Sequence, residues 1–378
     1  MHIQIWTGSI GGHRRIAEAL AWALTAARPA TRVRVVDVYS SAVVDGRFAA
    51  VVNLYDRLVA GAPALWRAVY GLSNRAPALR AVRWVGARFT PKSALRRALK
   101  EPPAVLVNVI SDLGQVGALA RAAPVLPPVV TVVSDLVSVH RAWVTREAGL
   151  IITPTEAAYD ACRALGAPAD RLVRLGFPIR SHLFCRAGEP NGNRREGVLR
   201  VLVMGGSSGA GRVMDDMRAL LGAGLPLAVT VVCGKNKRLR RRVSALAEGQ
   251  PQVTVLGYAR DVAELMRGAD VLLTKAGPST VFEAAAVGLP AVITGHLPGQ
   301  EEGNAAFFTG AGVAVAAPTT LDTVRLLRGF SEDPGRLKKL RNPALRRETC
   351  AAAGRIAAAI LECAEAQGAR PLSIQQRG

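Results

Sequence analysis

The residues from Thr274 to Phe308, TKAGPSTVFEAAAVGLPAVITGHLPGQEEGNAAFF, combine a turn of small residues, one acidic side chain and a second polar loop. The apolar run Val271 to Leu273 reads as a buried strand. Lys275-Ala276-Gly277-Pro278-Ser279-Thr280 turns from it into a helix expected to carry Glu283 in its first turn. The first N–H groups of a helix have no internal acceptor and sit at its positive dipole end, so this start suits a diphosphate. Glu283 is then placed to accept hydrogen bonds from a ribose diol. The loop His296 to Asn304, after the apolar run Pro290 to Ile293, can read a sugar's hydroxyls. These spacings suit a nucleotide-sugar site.

Two further turns belong with it. Val201 to Val213, VLVMGGSSGAGRV, places Gly205, Gly206, Gly209 and Gly211 between a strand and a helix, where backbone N–H groups can approach a phosphate. The pattern is neither the dinucleotide fingerprint nor the Walker loop, and a ligand-free tight turn is the alternative. Val231-Val232-Cys233-Gly234-Lys235-Asn236 ends another strand, and Gly234 there could wall a base pocket or merely precede the solvated basic run 237–242.

Near the N-terminus, Gly8-Ser9-Ile10-Gly11-Gly12-His13-Arg14 opens the first helix. A neutral imidazole at His13 can take a proton from an acceptor hydroxyl, and burial beside a positive helix end keeps it neutral. A capping or packing histidine is the alternative. Ser134-Asp135-Leu136-Val137-Ser138-Val139-His140 ends another strand, where Asp135 can orient a base, act as one, or cap a turn.

These loops need a scaffold that delivers them together. Strands are expected at Ile3–Trp6, Arg32–Val38, Ala104–Ile110, Val129–Ser134 and Leu150–Thr153, with helices between them, as at Arg14–Ala27 and Thr155–Leu165. Several of the strands are continuous apolar runs, as in parallel sheets covered on both faces. The stretch GEPNGNRREG then interrupts the alternation and reads as a linker. A second series follows at Leu199–Met204, Ala228–Cys233, Val253–Leu256, Val271–Thr274 and Ala291–Thr294. The expected fold is α/β, with two doubly wound Rossmann-like domains, 1–187 and 198–342, joined by a linker at 188–197. Such domains bind ligands at the carboxyl ends of their strands. A terminal helix over 343–366 can pack back on the first domain. A chain of 378 residues can bury two such cores.

The formal charge is +21, which favours an anionic partner surface. Between Gly61 and Lys100 there are nine basic residues and no acidic one, and Trp66, Tyr70, Trp84 and Phe89 are interleaved with them. This basic amphipathic segment, with Arg80, Arg83 and Arg88 among its cations, can lie on an anionic lipid surface or be an ordinary solvated helix. Apolar runs are strand-sized, too short to span a bilayer. Met1-His2-Ile3 runs straight into a strand without an export signal, so a cytoplasmic location is expected. The five cysteines show no metal or disulfide spacing and are expected to be reduced.

Taken together the motifs resemble the family of monogalactosyldiacylglycerol synthases and processive diacylglycerol glycosyltransferases, glycosyltransferase family 28. More distantly they resemble the bacterial enzyme that adds N-acetylglucosamine to lipid-linked muramyl peptide. The likeness runs from Trp6 to about Phe308. It is carried by GGHR at Gly11–Arg14, NLYDRL at Asn53–Leu58, SDLVSVHRAWV at Ser134–Val144, PTEAA at Pro154–Ala158 and GFPIR at Gly176–Arg180. MGGSSGAG at Met204–Gly211, CGKNKRL at Cys233–Leu239, GYARDVAELM at Gly257–Met266, KAGPSTVFEA at Lys275–Ala284 and PGQEEGNA at Pro298–Ala305 complete it. Ser9 and Ile10 depart from the glycine-richer first loop common in the family.

The resemblance implies a GT-B fold with a UDP-sugar bound by the C-terminal domain, a diacylglycerol-type lipid acceptor on the N-terminal domain, and inversion to a β-glycoside. Glu283 would hold the ribose. Gly206, Gly209, Gly211, Ser279 and Thr280 would hold the diphosphate, and Gln300, Glu301 and Asn304 the sugar and adjoining phosphate. His13 or Asp135 would be the base. Gly11, Gly12, Trp66, Arg80, Arg83, Trp84, Arg88 and His140 would serve the acceptor and the membrane.

Loss of the acceptor proton and departure of UDP fit a single displacement. No DxD triplet occurs, so no metal or other cofactor is expected, and Arg212 or Lys275 would stabilise the leaving charge. The expected partners are a UDP-sugar, the lipid and an anionic membrane surface, at which the chain sits peripherally, with no nucleic acid. A transferase acting on a soluble natural product and a UDP-sugar epimerase of the same fold are the alternatives.

Overall fold

The computed structural model describes residues 1–8, 12–38, 62–89, 95, 101–122, 125–186, 197–206 and 211–368. Gly11, Gly209, the NLYDRL motif and, but for Gly197, the expected linker lie outside the described residues. The chain divides into two compact units. The first is Met1–Arg180, Pro298–Gln300 and Ala351–Gly378, and the second is Ser181–Leu297 and Glu301–Cys350.

The first unit is built on a sheet of β1 (His2–Thr7), β2 (Arg32–Asp37), β3 (Val105–Asn108), β4 (Val129–Val132), β5 (Ala148–Thr153) and β6 (Leu172–Arg174). All pairings are parallel, in the order β2-β1-β3-β4-β5-β6. The runs VLVN and VVTV are buried at every position in β3 and β4, as expected of strands covered on both faces. Around the sheet lie α1 (His13–Ala27), α2 (Pro63–Ser73), α3 (Ala76–Phe89), α4 (Gln115–Ala122) and α5 (Glu156–Ala164). Helix α1 buries Ile16, Ala17, Leu20 and Leu24, the stripe that a 3.6-residue period lays on one face. The strand order reverses between β1 and β3, so the loop that opens α1 stands at the position where doubly wound sheets bind ligands.

In the second unit α6 (Ser181–Phe184) precedes β7 (Leu199–Met204), α7 (Val213–Gly222), β8 (Leu227–Val232), α8 (Lys237–Leu246), β9 (Val253–Leu256) and α9 (Val262–Arg267). Next come β10 (Val271–Lys275), α10 (Pro278–Val287), β11 (Ala291–Gly295), α11 (Asn304–Gly310) and β12 (Ala314–Ala316). The unit continues with α12 (Thr320–Glu332), α13 (Gly335–Lys339) and the start of α14 (Pro343–Gly368), whose later residues group with the first unit. The sheet is parallel, in the order β12-β11-β10-β7-β8-β9. Its reversal falls between β7 and β10, the two strands that carry the glycine turn and the Lys275 turn. Val201, Val203, Val231, Leu273 and Val292 from neighbouring strands pack with Met217 of α7 as the core beneath them.

Two details differ from the sequence expectations. Strands β6 and β12 went unanticipated because three residues are too few to show a period. Glu283 lies in the second turn of α10, which begins at Pro278, rather than in its first.

The cysteines are not all reduced. Cys185 and Cys350 form a disulfide across 165 residues of sequence, with Cα atoms 5.8 Å apart. Spacing rules read local pairs, whereas the end of α6 and α14 meet only through the fold.

Candidate active site

In the second unit the carboxyl ends of β7 and β10 bring two turns together. Gly206 and Gly211 both have positive φ, at 74° and 103°, so the turn after β7 relies on residues without a Cβ penalty. A Cβ at Gly206 would lie 3.6 Å from Lys275 Cε, which places the lysine directly beside that turn. Lys275 is ion-paired with Glu301, whose other oxygen accepts the Leu297 N–H at 2.8 Å. Gly277 makes room for the pair, since a Cβ there would stand 2.9 Å from Lys275 Nζ.

Pro278 occupies the first turn of α10, where its missing N–H costs no helical hydrogen bond. Ser279 beside it is half-buried and Thr280 is buried. Every residue from Thr280 to Val287 is buried, Glu283 included, at 1% exposure. Asn304 Nδ2 donates to the Ala276 carbonyl at 3.0 Å, tying α11 to the turn after β10. Asn304 Oδ1 is buried without a hydrogen-bond partner among the described residues, an acceptor open to a ligand donor or a water. Gln300 belongs to the short Pro298–Gln300 segment that groups with the first unit. Gly234 follows β8 with φ 60°.

Arg212 is engaged elsewhere than toward a leaving group. It bonds Asp216 at 3.1 Å, Thr323 Oγ1 at 3.1 Å and the Ala317 carbonyl at 3.0 Å, joining α7 to α12. Burial raises the Asp216 carboxyl above its ordinary range, against the Arg212 charge.

In the first unit Gly12 caps α1 and His13 is its first residue, at the carboxyl end of β1. Desolvation lowers the imidazole from 6.5 to about 4, with the Val109 backbone acting in the other direction. The ring is therefore neutral at physiological pH, and its Nδ1 has no partner among the described residues. The Trp143 ring lies 6.0 Å from it, centroid to centroid.

Asp135, beyond β4, is buried and fully drawn into the loop that follows. Its Oδ2 accepts the Trp143 indole N–H at 2.8 Å and the His140 backbone N–H at 3.2 Å. Trp143 thus stands between the two base candidates. Its part was missed in the sequence, although the tryptophan is the penultimate residue of the motif SDLVSVHRAWV, because an indole carries no acid or base function to notice.

His140 is buried as well. The Ala142 N–H donates to its Nδ1 at 3.1 Å, so the neutral ring keeps its proton on Nε2 and donates to Ser73 Oγ at 3.2 Å. Burial, then the nearby Arg83 charge, lower its pKa from 6.5 to about 4.

Helices α2 and α3 have two unlike faces. Outward stand Leu65, Val69, Leu72, Trp84 and Val85, with Trp84 67% exposed. Arg67, Arg75, Arg80 and Arg88 are exposed around them, and the Arg88 guanidinium lies 5.9 Å from the Trp84 ring centroid. Trp66 is half-buried beside Tyr70. Arg83 instead turns inward, donating to the carbonyls of Asp112 at 3.2 Å, Ala142 at 3.2 Å and Val144 at 3.3 Å. Close backbone approach fixes this inner face: a Cβ at Gly86 would stand 2.0 Å from the Leu113 carbonyl oxygen. No helix among the described residues is long and apolar enough to cross a membrane.

Two parallel doubly wound units, each with its loops gathered at the sheet reversal, define the GT-B class. Solved structures share the fold at low identity. The chain matches Acinetobacter baumannii MurG with TM-score 0.59 at 17% identity over 96% of this chain and 99% of that one. It matches the UDP-GlcNAc 2-epimerase from Neisseria meningitidis bound to UDP-GlcNAc with TM-score 0.64 at 13% identity over 96% and 100%. Residues 200–324 match the model of the glycosyltransferase family 28 C-terminal domain. Among curated relatives, a probable chloroplastic monogalactosyldiacylglycerol synthase 3 of Oryza sativa subsp. japonica is 31% identical over 57% of this chain and 45% of its own length. A processive diacylglycerol beta-glucosyltransferase of Bacillus cytotoxicus is 29% identical over 64% of this chain and 63% of its own length. The chain thus matches less than two thirds of these relatives.

Proposed function

We propose that this chain is an inverting glycosyltransferase that moves a hexose, galactose or glucose, from a UDP-sugar to diacylglycerol or a related lipid, working peripherally at the cytoplasmic face of an anionic membrane. The observation that carries the lipid reading is the outward face of α2 and α3. Five apolar side chains ringed by arginines stand on the unit that holds His13. Such a face gains from apolar burial at the headgroup boundary and from anionic lipid, at on the order of 1 kcal/mol per basic group. The donor reading is supported by the family 28 domain and by the turns around Lys275.

In this reading His13, neutral at working pH, takes the proton of the acceptor hydroxyl as that oxygen attacks the anomeric carbon from the face opposite the diphosphate. One C–O bond forms as the C–O bond to UDP breaks, which inverts the centre. Asp135 holds Trp143 against the His13 ring. The N–H groups at the start of α10, with Ser279 and Thr280, meet the diphosphate, and Lys275 exchanges part of its contact with Glu301 for the leaving oxygen. Glu283 holds the ribose and Asn304 Oδ1 accepts from the sugar.

The test is incubation with radiolabelled UDP-glucose and UDP-galactose over mixed liposomes, followed by lipid extraction. Label in a β-linked glycolipid is the expected result. Label transferred only to soluble acceptors, or sugar interconversion without an acceptor, would favour the natural-product transferase or the epimerase.

A further inference from the structure

The inner face of the helix pair α2–α3 is bonded to the same loop that supports His13. From α2, Tyr70 Oη donates to the Ser138 carbonyl at 3.1 Å, and the Tyr70 ring meets the His140 ring edge-on with centroids 4.9 Å apart. Ser73 Oγ accepts from His140 Nε2 and donates to the Tyr70 carbonyl at 3.0 Å. Asn74, which ends α2, accepts the Arg141 N–H at 2.6 Å. From α3, the Arg83 guanidinium holds the carbonyls of Ala142 and Val144, the residues on either side of Trp143. The backbone N–H of His140 and the indole of Trp143 converge on the one Asp135 oxygen, and Trp143 lies against His13.

Energetic coupling between separated groups is carried by contiguous packed and hydrogen-bonded chains of this kind, provided that one end can shift. Here the outer end is an exposed apolar and cationic surface and the inner end is the base candidate. We infer that Ser73 and Arg83 are positioning residues, through which contact of α2 and α3 with an anionic lipid surface sets the placement of the His13 imidazole. Both act through His140 and Trp143: Ser73 bonds the His140 ring and Arg83 the carbonyls on either side of Trp143. The inference rests on the docking reading given above, and it adds that docking does more than hold the chain near its acceptor. The connection consists of short polar bonds on buried or half-buried groups, so a displacement of α2 or α3 reaches the loop instead of being absorbed by solvent. The loop has few other ways to yield, because Asp135 is held twice and Arg83 clamps both sides of Trp143.

The experiment uses the full chain with phosphatidylcholine vesicles, with and without phosphatidylglycerol. Binding is read by flotation. His13 is read by the rate of its carbethoxylation with diethylpyrocarbonate, located by peptide mass spectrometry. In the unaltered protein, anionic vesicles are expected to change the His13 rate by about twofold to thirtyfold, the range that network couplings span. Ser73→Ala is expected to bind vesicles equally well and lose that response, and Ser73→Thr, which keeps the hydroxyl, to restore it. Arg83→Lys, with too narrow a head to hold both carbonyls, is expected to behave as Ser73→Ala. The same variants should lower kcat on vesicle-borne acceptor while leaving the donor KM unchanged. Simple shielding of His13 by lipid would persist in Ser73→Ala, and a persisting response overturns the inference. So does vesicle binding with no change at His13. Absence of vesicle binding in the unaltered protein overturns the docking reading itself, and the inference with it.

Discussion

Trp143 and Asp135 are joined by a 2.8 Å hydrogen bond in which the buried indole N–H serves the buried carboxylate, while the indole ring lies 6.0 Å from the His13 ring, centroid to centroid. Trp143→Phe keeps an aromatic ring beside His13 and removes the donor. A buried acceptor that loses one of its donors costs about 1–3 kcal/mol. The urea midpoint is expected to fall accordingly, with kcat falling as the His13 ring loses its fixed neighbour. Unchanged stability and turnover would mean that Asp135 has no need of the indole.

The two lowered imidazoles give stability a defined pH dependence. His13 and His140 are both shifted from 6.5 to about 4. Between these values the unfolded chain binds protons that the folded chain refuses. Their contribution is therefore complete above about pH 6.5 and is lost as the pH falls toward about 4. Denaturant titrations across that window should show a decline that is smaller in a His13→Gln/His140→Gln double variant. An equal decline in both proteins would show that other groups govern it.

Lys275 and Glu301 are a largely buried pair, with side chains 14% and 6% exposed. Removing one partner leaves the other charge poorly compensated, at about 3–5 kcal/mol for a fully buried pair and less here. Lys275→Met should thus destabilise the protein more than Lys275→Met with Glu301→Gln, and both should weaken UDP binding. A double variant as unstable as the sum of the single changes would argue against coupling.

Glu283→Gln should keep the fold, since the amide is nearly the same size, and reduce the rise in Tm that UDP confers. Full protection by UDP in this variant would remove Glu283 from the ribose contact.

Charge reversal at Arg80 and Arg88, which both face outward, should weaken binding to anionic vesicles by about 1 kcal/mol per group without loss of stability. The same change at Arg83 should instead destabilise the packing of α3 on the loops at Asp112 and Ala142. Sedimentation with vesicles and thermal melts separate the two effects, and identical behaviour of all three arginines would contradict the assignment of faces.

Much of the architecture was readable from local pattern. The runs at Leu199–Met204 and Val253–Leu256 are strands over those same residues, because continuous apolar segments bounded by turn residues permit little else in a covered parallel sheet. The glycines at 206 and 211 were readable as a special turn because positive φ selects them. Orientation was not readable. Nothing in the spacing of Arg80, Arg83 and Arg88 separates the one that turns inward, since that depends on carbonyls at Asp112, Ala142 and Val144 supplied by distant sequence. Arg212 is similar: its partners Ala317 and Thr323 lie over a hundred residues away, and only the fold reveals that its donors are taken. The pairing of Cys185 with Cys350 was hidden for the same reason.

That bond has a consequence for how the chain can be cut. Cys185 lies just beyond the first passage of the chain between units, at Arg180 and Ser181, and Cys350 stands at the last one, before Ala351. Residues 185–350 are therefore a covalent ring. A protease that nicks it anywhere inside yields two pieces that still migrate as one on a gel, and they separate only after a thiol reductant is added.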